Sequence, residues 1–84
     1  MIRKKLLEKY DELLFADNFD EAIIGVAYDG NTRVVYDINK MIEIFVKDNN
    51  AKYEEAVEFL EFNTLFAHVG DQTPIYVNII NKEN

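Results

Sequence analysis

The sequence predicts an α+β domain of two layers, a three-stranded sheet with three helices in the order α-β-β-α-α-β. Three observations predict it. Apolar residues recur with the helical period over 2–15, 38–48 and 51–62. Two short apolar runs, 21–28 and 32–36, flank Asp29-Gly30, a strong hairpin signal. A final apolar run, 75–80, follows Pro74, whose missing donor is tolerated where a strand begins. With 84 residues, no linker and no internal repeat, the chain reads as one domain spanning 1–84.

In the first helix, 2–15, Ile2, Leu6, Tyr10 and Leu13 make a stripe that Leu7 and Leu14 widen. Its charges oppose the helix dipole, with Arg3, Lys4 and Lys5 at the positive end and Asp11 and Glu12 near the negative end. Each misplaced charge costs about 0.3–1 kcal/mol at low salt. The helix must therefore dock by its apolar stripe across an acidic body, or its basic tip must meet acid elsewhere. Phe19 anchors the polar break that follows. Strand 21–28 is apolar on both faces, which predicts the middle of the sheet, and Gly25 within it predicts the close approach of another group. In strand 32–36, Val34 and Tyr36 share one face, and Arg33 and Val35 the other.

Asp37 is a good N-cap for helix 38–48, whose Ile38, Met41, Ile42 and Phe45 face the core. Glu43 and Lys47 make a favourable pair on its outer side, and Asp48-Asn49-Asn50 ends it, asparagine being suited to a left-handed C-cap. In helix 51–62, Tyr53, Ala56, Val57, Leu60 and the following Thr64 fall on the core face. Glu54, Glu58 and Glu61 share a second face, and Phe59 and Phe62 a third, beside Glu55. Phe66 and His68 lie in the reversal 63–72, where Gly70-Asp71 signals a turn. The direction of strand 75–80 is left open, and 81–84 is a polar tail.

The net charge is −7, unevenly spread. The first nine residues carry four basic side chains against Glu8, or +3; the other 75 carry five basic and fifteen acidic side chains, or −10. An acidic body disfavours direct contact with nucleic acid and favours solubility or a basic protein partner. Neither a signal peptide nor a membrane span is legible, and the absence of cysteine rules out thiolate chemistry and fits a cytoplasmic setting.

Catalytic signatures are missing. There is no serine or cysteine to act as nucleophile, and the three glycines make no phosphate-binding loop. His68 is the only imidazole, with Asp71 the nearest carboxylate, and a lone histidine between Ala67 and Val69 reads first as structural. Glu54, Glu58 and Glu61 share one solvated environment, so nothing separates their pKa values for acid–base work. No catalytic, cofactor-binding or metal-ligating set is assigned. The assigned site is a partner-binding surface: Glu54, Glu55, Glu58, Phe59, Glu61 and Phe62. Two phenylalanines opposite a core stripe either pack under another helix or mark a contact surface.

The segments FDEAIIGV, VVYDINKMIEIFV, YEEAVEFLEFN and VGDQTPIYV, in this order over about residues 19–78, resemble a group of small, mostly uncharacterised acidic proteins of bacteriophages and related mobile elements. The resemblance implies a phage protein in the host cytoplasm that binds a host protein and blocks or redirects it, anti-CRISPR inhibitors being one such class. The basic IRKK start departs from a uniformly acidic nucleic-acid mimic. The alternatives are a small homodimeric assembly module, joined through Phe59, Phe62 or a sheet edge, and a small hydrolase using His68.

Overall fold

A computed structural model describes residues 2–10, 12–27, 29–65 and 67–80. Asp11, Tyr28, Phe66 and the tail 81–84, placed above in a helix, a strand, a reversal and a tail, lie outside the described residues, as does Met1. The fold is α+β, with helices α1 (Ile2–Lys9), α2 (Ile38–Asn49) and α3 (Tyr53–Leu60) and strands β1 (Ile23–Val26), β2 (Val34–Asp37) and β3 (Ile75–Val77), in the order α-β-β-α-α-β.

The sheet order is β1-β2-β3, so the central strand is β2 and not the more apolar β1. β1 pairs antiparallel with β2 through the hairpin, and β3 pairs parallel to β2. A parallel neighbour needs a crossover of a dozen or more residues, and α2 and α3 supply it. The crossover leaves β1 at an edge, where Ile24 stays 49% exposed. The ladder steps from Ile23↔Tyr36 to Gly25↔Val35, so Ile24 is the extra residue of a bulge. Gly25 serves that irregularity; a Cβ there would touch nothing within 4 Å, contrary to the close approach its sequence position suggested. The hairpin loop is longer than two residues. Ala27 N–H donates to the Arg33 carbonyl, Asp29 Oδ1 accepts from Asn31 N–H, and Gly30 takes the positive φ of +100° that the turn requires.

The core lies on one face of β2. Val34 and Tyr36 point inward and are fully buried with Met41, Ala56 and Leu60; Phe19, Ala22 and Ile42 complete it. Both ends of α2 follow the sequence. Asp37 accepts from Asn39 N–H and Lys40 N–H, and Asn50 is left-handed with Ala51 N–H closing onto the Val46 carbonyl. The surface ion pair on this helix is Lys40–Glu43 at 3.7 Å, not Glu43–Lys47.

Helix α1 stops at Lys9, six residues short of the end of the predicted helix 2–15. Beyond it, residues 12–16 run without helical structure, and Leu13, Phe15 and Ala16 pack on the core from that arm. Ala16 N–H donates to the Tyr36 hydroxyl at 2.8 Å, a bond that a helical Ala16 would give to its own backbone. The opposed charges had already weakened a longer helix. Nor does an apolar stripe dock α1: none of its residues is fully buried, and Ile2 and Leu7 stay exposed. Its basic tip does meet acid, for Arg3 bonds Asp20 at 2.9 Å and Asp17 at 3.5 Å.

Candidate protein-binding surface

Helix α3 opens on Lys52, whose N–H is accepted by Glu55 Oε1 at 2.9 Å. Lysine has no acceptor to return the favour, so the N-terminus rests on Glu55 and on the match of Glu54 and Glu55 to the positive end of the dipole. Ala56 and Leu60 are buried and Val57 half-buried, as the helical spacing predicts. Tyr53 departs from that face and is 59% exposed, because the chain enters the helix there and the core begins one turn later.

After Leu60 the helix widens into a π turn, Glu61–Leu65. On an α-helix, residues 60 and 65 would point about 140° apart at about 100° per residue. An i→i+5 turn brings them back to one side. Leu65 accordingly packs on the core, partly buried. Phe62, the second residue of this turn, stays on the outer side. Asn63 is the middle residue of this turn, and its side-chain amide donates to the Phe59 carbonyl at 3.0 Å.

The two phenylalanines have different fates. Phe59 lies against Phe45 of α2, ring centres 4.6 Å apart and tilted by 31°, and is 47% exposed. Phe62 has no such cover and is 87% exposed. Glu55, Glu58, Phe59, Phe62 and Asn63 line one shallow hollow. Four of the six residues assigned from sequence thus meet in one place. Glu54 is exposed on the neighbouring face, and Glu61 instead borders a hollow with Arg33, Leu65 and Pro74. Phe45 and Asn63, absent from the sequence assignment, support the surface. Phe45 was legible only as a core residue, since its side chain serves both the core and Phe59.

The electrostatics favour a cation from outside. Glu54–Glu58 is an i,i+4 pair of like charge and Glu58–Glu61 an i,i+3 pair, each costing a few tenths of a kcal/mol. Among the described residues the ion pairs are Arg3–Asp17, Arg3–Asp20 and Lys40–Glu43, so none neutralises this face. The arrangement presents an aromatic ring within a field of carboxylates.

His68 is exposed on the loop after α3, and among the described residues no hydrogen bond joins it to Asp71 or another carboxylate. That loop is closed by Thr73, whose hydroxyl accepts from Val69 N–H at 2.8 Å and donates to the Gly70 carbonyl at 2.7 Å. Gln72 ties it to the N-terminal arm by donating to the Glu12 carbonyl. Among the described residues, no group of three or more histidines and carboxylates is placed to hold a metal ion, and no helix is long and apolar enough to cross a membrane. No family model matches this sequence, and comparisons with curated proteins and with solved structures return no similar chain.

Proposed function

We propose that this chain is a non-enzymatic interaction module, encoded by a phage or related element, that binds a basic surface of a host protein and inhibits or redirects it. The surface it uses is the hollow of Glu55, Glu58, Phe59 and Phe62, flanked by Glu54 and Glu61. The observation that carries this reading is Phe62, 87% exposed beside carboxylates with no basic partner among the described residues. Covering one phenylalanine fully stabilises a complex by about 1.5–3 kcal/mol. The carboxylates then steer the encounter and set its salt dependence. A carboxylate field of this kind also suits a groove that normally holds a nucleic-acid backbone.

Affinity capture from host lysate at low and high salt, followed by mass spectrometry, tests the proposal. The wild-type chain is expected to retain a basic protein that high salt releases. Phe62→Ala, and separately Glu54, Glu58 and Glu61 all changed to Gln, are expected to lose it. A retained protein that both variants hold equally well at physiological salt refutes the assignment of this surface.

A further inference from the structure

We propose that the seat of α1 is a binding site for an arginine side chain on a basic segment of a partner protein, and that α1 is its occupant in cis. The seat is built for a guanidinium. Arg3 donates to Asp20 Oδ1 through Nε at 3.2 Å and Nη2 at 2.9 Å, and Nη2 reaches Asp17 Oδ1 at 3.5 Å. The guanidinium carbon lies 4.4 Å from the centre of the Phe15 ring. Carboxylate at the edge and an aromatic face beneath select the planar, five-donor cation; a lysine ammonium offers neither the fork nor the stacking plane.

Every wall of this seat belongs to another part of the chain. Phe15 comes from the arm packed on the core, and Asp17 from the turn before Phe19. Asp20 opens the 3-10 turn Asp20–Ala22, which is pinned by the buried Phe19 and Ala22. The seat therefore persists when α1 leaves. Glu21, Lys47 and Asp48 line the open hollow beside it, where two carboxylates outnumber one ammonium.

The occupant is loosely held. α1 has no buried residue, exposes Ile2 and Leu7, and spans eight residues, a length marginal for an isolated helix. Arg3 is its one side chain with a hydrogen bond among the described residues. The first nine residues carry +3 on a chain whose remainder carries −10, so α1 itself displays the chemistry of the ligand: a short basic segment with an arginine. The seat shares no residue with the α3 surface, and the inference stands without that reading.

The test uses the 84-residue chain with Arg3→Ala and a synthetic nonapeptide of sequence IRKKLLEKY added in trans, followed by amide chemical shifts of residues 15–20. The variant is expected to bind the peptide at least about tenfold more tightly than wild type does, because the competitor in cis is weakened. Replacing the peptide's arginine by lysine, or adding Asp20→Asn to the variant, is expected to abolish the shifts. Absence of shifts in the folded variant at millimolar peptide overturns the proposal, as does equal binding of the lysine peptide. Hydrogen exchange of the wild-type chain provides the check that needs no variant. α1 amides are expected to exchange far faster than those of β2, and equal protection overturns the claim that α1 can leave.

Discussion

Tyr36→Phe probes the joint between the N-terminal arm and the sheet. The Tyr36 ring is fully buried, and its hydroxyl accepts the Ala16 N–H at 2.8 Å. Removing the oxygen deletes a neutral hydrogen bond worth about 0.5–1.5 kcal/mol and leaves an amide short of an acceptor. Ala16 is only half-buried, so water relieves part of that penalty, and a loss of about 1–2 kcal/mol is expected at pH 7. The effect should shrink in alkali. Burial pushes the Tyr36 hydroxyl up from its ordinary 10.0 to about 12, against a smaller opposing pull from the Ala16 amide. Above pH 10 the unfolded chain gives up this proton and the folded chain keeps it, so the wild type loses stability as pH rises from about 10 to 12. At pH 11 that loss is about 1.4 kcal/mol. Phenylalanine has no proton to lose. The gap between variant and wild type should therefore fall from about 1–2 kcal/mol at pH 7 to near zero at pH 11. Urea unfolding followed by far-UV circular dichroism at pH 7, 9 and 11 measures it. A gap that stays constant across this range would refute the argument from burial, and a variant as stable as wild type at pH 7 would refute the role given to the hydroxyl.

Three further substitutions separate scaffold from surface. Asp37→Ala removes the N-cap of α2 and should cost about 1 kcal/mol, read as a fall of about 4–8 °C in Tm. Phe62→Ala should change stability by less than about 0.5 kcal/mol, since the ring covers almost nothing. Phe59→Ala should cost more, about 1–2 kcal/mol, from the lost Phe45 stacking and half-buried area. Equal effects of the two in thermal unfolding would contradict the different cover described for them.

Much of the scaffold is decided by chemistry within a few residues. Asp37 finds the free amides of the turn it begins, Asn50 tolerates the left-handed conformation that ends the same helix, and Gly30 accepts the positive φ of the hairpin. The alternation that buries Val34 and Tyr36 together, and the spacing that buries Ala56 with Leu60, are equally local. Such features depend on hydrogen bonds and periods of two to four residues, and these the sequence by itself determined. Strand order was decided elsewhere. β1 is the more apolar strand, yet β2 is central because the crossover through α2 and α3 lays β3 beside it. The length of α1 was settled by competition, when Tyr36 claimed the Ala16 amide and the core claimed Leu13 and Phe15. The π turn answers to Leu65, whose place depends on a core assembled from distant segments. The same holds for the candidate surface. Two phenylalanines three residues apart look alike in the sequence, and only the position of Phe45 on a neighbouring helix supports one and leaves the other bare.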